Sequence, residues 1–308
     1  MGNPNKGHVV RGSVDPVIKT RLQVDKRHTA RSPLVLTVQV LLNDTVSMVA
    51  LGVVFLLILM TLAAPVIAPH NPIKIYYDHI MQPPNAEFPF GTDDLGRDIL
   101  SRVIYGGIET LRTGYLAVLI GVGGGVTIGL LSGYFGGVVD ILVQRVVEIM
   151  LAFPAILLIL SLVAALGPSL FTVMIAIGFA NIPAYTRLMR GSVLDAKNFD
   201  YVIAAKVVGA RNLRIMFRHI FPNIIAPVIV YATIGLGGAI MLTAGLSYLG
   251  LGAQPPSPEW GSMLNWGKSY LSNAWWMSAF PGLAVFIAVL SINIFGDGLQ
   301  DALNPKNR

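Results

Sequence analysis

The chain contains no cysteine. Disulfides, thiolate nucleophiles and cysteine-ligated metals are therefore excluded, and cysteine usage carries no mark of a redox compartment. Charge is also scarce. Asp, Glu, Lys and Arg make up 12% of the 308 residues, about half the ~25% of a soluble globular domain. Five long runs contain no Asp, Glu, Lys or Arg at all: Thr45–Ile73, Thr113–Val139, Ile149–Thr186, His219–Pro258 and Ser269–Gly296. The five histidines (His8, His28, His70, His79, His219) are scattered, with no pair at metal-ligand spacing in these runs. These absences remove proton-coupled carriers, which use intramembrane carboxylates or histidines. They also remove intramembrane aspartyl and metal proteases, which need paired acids or a His-Glu cluster.

What is present is apolar: hydrophobic residues are 54% of the chain, with 32 glycines and 19 prolines. A bilayer-spanning helix needs ~20 mostly apolar residues, and Gly and Pro are tolerated there because neighbouring helices satisfy the freed backbone groups. The third run is too long for one span and divides at Gly167-Pro168-Ser169 into Ile149–Leu166 and Leu170–Tyr185. The fourth ends in Gly250, Gly252, Pro255, Pro256 and Pro258, leaving one span near Ile224–Thr243 and an outer loop. The expected fold is all-α and polytopic, with six transmembrane helices and both termini on one side.

Charge sets that side. The net charge of +6 does not point to nucleic acid, because cytoplasmic loops of membrane proteins collect Lys and Arg. With the N-terminus inside, 17 of the 22 Lys and Arg fall on inner segments; only Lys74, Arg97, Arg102, Arg112 and Lys268 fall outside. The expectation is N-in and C-in. The first 45 residues are polar and basic, so a cleaved signal is not expected and the first span serves as an anchor. The organisation read from the sequence is a cytoplasmic tail over 1–45, a first span over 46–68 and an outer segment over 69–111. A core over 112–300 follows, containing a cytoplasmic loop over 187–219, and 301–308 form an inner tail. Leu34–Leu42, after Ser32-Pro33, and Asp98–Tyr105 read either as interfacial helices or as frayed entries to spans.

A phosphate loop is not expected. Gly261-Ser-Met-Leu-Asn-Trp-Gly267-Lys268-Ser269 has five residues between its glycines, lacks a preceding strand and lies on the outer side. If the chain moves a solute uphill, the energy must come from another protein.

The inner loop between spans four and five offers a place for that. Asp200 reads as an N-cap, Tyr201–Val208 as two helical turns, and Gly209 as the left-handed residue that ends them. Ala204 and Ala205 give a small-residue face that seats in a partner's groove. The basic run Arg211–Arg218 reads either as a lipid-facing, positive-inside patch or as part of that contact.

Ala204, Ala205, Gly209 and Phe221-Pro222 resemble the conserved loop of bacterial ABC importer permeases, with Ile203 where that pattern has Glu. Three further stretches are similar to the second permease subunit of the dipeptide/oligopeptide/nickel branch. They are Leu62-Ala63-Ala64-Pro65-Val66-Ile67-Ala68-Pro69, Phe90-Gly91-Thr92-Asp93-Asp94-Leu95-Gly96-Arg97-Asp98, and Leu246–Gly261 with its Pro255-Pro256-Ser257-Pro258-Glu259-Trp260. By chemistry alone the second is an outer turn or a weak cation site. The third is a stiff loop with Trp260 anchored at the membrane interface, or a cargo contact.

The resemblance covers about residues 33–305 and implies a type I permease fold in the bacterial inner membrane. It implies coupling to an ATPase through Tyr201, Ala204, Ala205, Lys206, Gly209 and Pro222. It implies a second homologous permease subunit, two ATP-binding cassette subunits that hold ATP and Mg, an extracytoplasmic solute-binding protein, and lipid as surroundings. No cofactor is expected in this chain, and no catalysis. Di- or oligopeptides are the expected cargo, with nickel chelates, glutathione or other small solutes as the alternative. A stand-alone secondary transporter is the reading the missing span carboxylates argue against.

Overall fold

A computed structural model describes residues 33–304; the basic tail before Pro33, with Lys306 and Arg308, lies outside the described residues. Apart from one isolated bridge between Thr92 and Asp98, the regular structure among these residues is helical. The helices are α1 (Pro33–Asn43), α2 (Thr45–Leu62), α3 (Ala64–Ile67), α4 (Ile99–Phe135), α5 (Gly137–Ala152), α6 (Ala155–Leu166) and α7 (Leu170–Ala196). They continue with α8 (Asp200–Val207), α9 (Asn212–Arg214), a π-turn over Ile215–Ile220, α10 (Phe221–Tyr248), α11 (Trp260–Gly267) and α12 (Trp276–Leu303).

Five helical runs are long and apolar enough to cross a membrane alone: Thr45–Leu62, Ile99–Phe135, Leu170–Ala196, Asn212–Tyr248 and Trp276–Leu303. The pair α5–α6 is bent by 89°. Pro154 causes the bend. A residue before proline is pushed out of the helical region, and Phe153 is extended at φ −92°, ψ 138°. The expected span Ile149–Leu166 is therefore broken, and α6, with 12 residues, reaches only ~18 Å of a ~30 Å core.

The packing of α4 on α7 decides whether the bent pair crosses. Gly121 of α4 faces Gly178 and Asn181 of α7, Gly125 faces Ile182 and Tyr185, Gly129 faces Thr186 and Met189, and Gly133 faces Arg190 and Val193. The two helices run parallel, so α5 and α6 together must return the chain to the side where α4 began. Counted this way there are six passes. Ser47 packs against Gly298, and Thr61 against Gly107. The start of α2 and the end of α12 thus share one end of the bundle, and Pro33 and Asn304 lie on the same side. We refer to that side as the loop end, since α8 lies there, and to the other as the cap end.

Two expected boundaries shift. The stretch Asp98–Tyr105 is not a separate surface helix: it opens α4, whose 37 residues extend ~55 Å, beyond a bilayer. Asp98 accepts from the Ser101 N–H at 2.9 Å and caps it. Ile99, Val103 and Ile104 are buried in protein rather than at the membrane surface. At the other end, α7 runs past Tyr185 to Ala196, and α10 begins at Phe221 without a gap after the π-turn. Most of the expected loop 187–219 is thus helix projecting from the bundle.

The cap end is built by buried polar groups. Arg97 pairs with Asp93 at 2.7 Å, and Arg102 donates to the Pro72 carbonyl at 2.9 Å. Asp93 also accepts the Leu95 and Arg97 N–H groups at 3.0 and 2.9 Å and so holds the Gly91-Thr92-Asp93-Asp94 turn from within. Trp260 is not an interface anchor. It is fully buried, with its indole N–H on the Val103 carbonyl at 2.8 Å.

Glu259, equally buried, caps α11 by accepting the Gly261 and Ser262 N–H groups at 2.9 and 2.8 Å and the Thr110 hydroxyl at 3.1 Å. Burial holds its carboxyl above the ordinary range, against the pull of these donors. Glu259→Ala strands two buried N–H groups at roughly 1–3 kcal/mol each. Thermal melting of the detergent-solubilised protein should drop by several degrees, whereas an unchanged melt would show that the cap is dispensable.

Candidate functional site

The loop end carries α8 between two supports. Below it the π-turn buries Ile215, Met216 and Ile220, which cluster with Val193 and Ala196 of α7 and with Val202 of α8. Val202 is fully buried and Ala205 packs partly against the same cluster. This row roots the short helix in the bundle, against α7 and the start of α10. A second tie runs sideways: the Tyr134 hydroxyl on α4 donates to Asn212 at 3.0 Å, and Lys206 lies 5.9 Å over the Tyr134 ring.

Gly209 closes α8 with a Schellman cap. The Gly209 N–H bonds the Lys206 carbonyl and the Ala210 N–H bonds the Ala205 carbonyl, both at 3.0 Å. Gly209 has φ +82°, where a side chain is strained. Its outward face is open: an added Cβ meets nothing within 4 Å.

The helix begins at Asp200, with Phe199 in the capping position. Asp200 thus acts as a first-turn acid on the helix dipole rather than as a side-chain cap. The two alanines do not share a face. Ala205 points toward the supporting cluster and Ala204 outward. Tyr201, Ala204, Lys206 and Gly209 are brought together on the exposed side; Pro222 stands apart, beyond the π-turn at the start of α10.

The outward surface also contains side chains that motif reading passed over. Phe199, Ile203, Val207, Val208 and Leu213 are exposed, Val207 and Val208 by 82% and 87%, next to the exposed cations Lys206, Arg211, Arg214 and Arg218. An apolar centre with a charged rim is the anatomy of a protein interface. The signal was available in the sequence, as five apolar residues inside a basic loop. Ile203, in the place of the family's Glu, enlarges the apolar centre.

Behind the loop, Asp140 of α5 grips Arg190 of α7 through two bonds of 2.6 Å, and the Ser132 hydroxyl donates to Asp140 at 2.5 Å. This bidentate pair fastens the bent pair α5–α6 to the helix that leads into α8.

Six passes, a rigid glycine seam and a projecting short helix define a multi-pass membrane permease. Comparison with known proteins refines this. Residues 125–308 match the binding-protein-dependent transport system inner membrane component family, and residues 32–84 match the N-terminal transmembrane domain of oligopeptide transport permease C. The chain is 43% identical over 282 residues to a dipeptide transport system permease protein, DppC, of Alkalihalophilus pseudofirmus, covering 92% of this chain and 93% of that one. It is 47% identical over 263 residues to DppC of Escherichia coli K12, covering 83% and 88%. Among solved structures, one of the MetNI methionine ABC transporter superposes with a TM-score of 0.53 at 19% identity, over 66% of this chain and 96% of that one; this likeness concerns the fold. The chain belongs to the binding-protein-dependent transport system inner membrane component family, as a C-type permease subunit of an ABC importer.

Proposed function

We propose that this chain is one of two similar permease subunits in the cytoplasmic membrane of a bacterium, importing di- and oligopeptides with energy from two ATP-binding subunits docked on α8. A soluble receptor on the cap side delivers the cargo. ATP and Mg are held by the partner subunits, and closure of those subunits on ATP moves α8. Because Val202 and the π-turn root α8 in α7 and α10, that motion hinges the spans. The observation that carries the reading is the exposed apolar face of Ile203, Val207 and Val208 on a helix so rooted. The peptide cargo rests on the named activity of relatives that this chain matches over most of its length.

The test is reconstitution of the full complex in vesicles with its receptor and a labelled dipeptide. Uptake is expected to require ATP and to be competed by unlabelled di- and tripeptides, but not by a nickel chelate or by glutathione. Uptake by this chain without ATPase subunits would return it to the secondary-transporter class. Stronger competition by glutathione or the chelate would reassign the cargo.

A further inference from the structure

Three polar side chains of the membrane interior line one cavity. Between α4, α7 and α10 lies a space of about 250 Å³ whose lining includes Asn181, Tyr185, Tyr231, Ile234, Gly235 and Gly238. Tyr185 and Tyr231 lie roughly 22 and 25 Å along their helices from the cap end, at 1.5 Å per residue, in the middle of the bundle. Their rings meet edge to face, with centroids 5.1 Å apart. The Tyr185 hydroxyl lies where only glycine leaves room: a Cβ on Gly235 would sit 2.8 Å from it.

Among the described residues neither tyrosine hydroxyl has a hydrogen-bond partner. The Asn181 amide donates to the Ile177 carbonyl at 2.8 Å, which leaves its carbonyl oxygen without one. Three unengaged polar groups turned toward lipid tails would carry an unrelieved desolvation cost; turned into a cavity that admits polar cargo they carry none. A second cavity of about 380 Å³ shares Tyr231 and Ile234, and runs past Pro227 to Gln300 and Asn304 at the loop end. The two cavities adjoin at Tyr231 and Ile234, and the second lies toward the side where α8 lies.

We propose that Tyr185, Tyr231 and Asn181 form an uncharged hydrogen-bonding station that takes the backbone amides of a peptide in transit. The proposal rests on the peptide-import reading above. A tyrosine hydroxyl both donates and accepts, and a carboxamide oxygen accepts; together they match an amide N–H and C=O without reading the cargo's side chains. The lining carries no ionised group, so neither charged terminus of the peptide is held. A transit site has to bind weakly enough to release, and neutral hydrogen bonds meet that requirement.

The experiment uses the full complex with its receptor in vesicles and labelled alanyl-alanine below saturation. Tyr185→Phe and Tyr231→Phe keep the ring contact and remove one hydroxyl each. Each is expected to lower initial uptake about three- to tenfold, the value of one hydrogen bond, with unchanged assembly of the complex in detergent. Gly238→Phe adds a side chain where a Cβ meets nothing within 4 Å. It should fill the chamber and stop uptake, again with intact assembly. Wild-type uptake matched by the Tyr185→Phe/Tyr231→Phe double variant overturns the station and leaves peptide import standing. Uptake losses that track loss of the second permease subunit also overturn it, since the hydroxyls are then interface contacts. No uptake by the wild-type complex overturns peptide import, and the station with it.

Discussion

Gly209→Asp should abolish solute uptake, by at least ~100-fold, while the protein still inserts and folds. Gly209 sits at φ +82° in the Schellman cap of α8 with open space beyond it. Asp is one of the few residues that visits this backbone region, at ~1–2 kcal/mol, so the intramolecular cost is small. The cost falls on docking. On the docking proposed for α8, the partner buries the rim of the Val207–Val208 surface, and a carboxylate left unpaired there costs ~3–5 kcal/mol. At 1.4 kcal/mol per factor of ten that removes binding by two to three orders of magnitude. Copurification of the ATPase subunits with this chain, set beside uptake, reads the effect. Gly209→Asn carries a similar backbone strain without the charge and should keep a measurable fraction of both. Normal uptake by the Asp variant would remove α8 from the coupling path.

The second large effect concerns the seam between α4 and α7. Gly125→Ile places a Cβ 2.4 Å from the Tyr185 Cβ and 2.7 Å from the Ile182 carbonyl oxygen. Neither obstacle is the end of a flexible side chain, so the two helices must separate. Overpacking of a fixed contact costs ~1–3 kcal/mol and often more, and this contact anchors two of the six passes. The expected result is a protein that fails to accumulate in the membrane or melts well below the wild type in detergent. Gly123→Ile is the control, two residues away on the same helix. A Cβ there meets nothing within 4 Å, and the change also removes a flexible glycine from a helix. Its melt should stay near the wild type. If the Gly125 variant melts like the Gly123 variant, the parallel seam is not what holds α4 to α7.

The parallel seam also shows where sequence reading stopped. Gly121, Gly125, Gly129 and Gly133 are visible as a four-residue repeat, but the repeat does not name its partner or its direction. Small residues let helices approach closely, and only the facing pairs reveal that α4 and α7 point the same way. That direction made the bent pair α5–α6 a crossing. Pro154, which bends the third pass, lies within a charge-free run and did not interrupt the apolar signal. The π-turn before Pro222 left no sequence mark at all.

At the loop end, the left-handed glycine after a short helix was readable in Gly209, because glycine alone reaches that backbone region freely. The separation of Ala204 from Ala205 was not, since it depends on which way α8 is rotated on the π-turn. Trp260 and Glu259 show the same limit at the cap end. Beside prolines in an outer loop, Trp260 reads as an interface anchor or a cargo contact; the structure buries it, with Glu259, because α4 extends beyond the bilayer and offers Val103 and Thr110 as partners.

The sequence by itself determined that the chain is helical, membrane-embedded and without acids in its apolar runs. Those properties follow from composition and from where charge is absent, which are local. Tertiary structure alone decided that the third of the six expected passes is a bent pair, the face that α8 presents and the meeting of Tyr185 with Tyr231. Each of these depends on the rotation and direction of one helix against another, and that is set by side-chain packing between residues far apart in the chain.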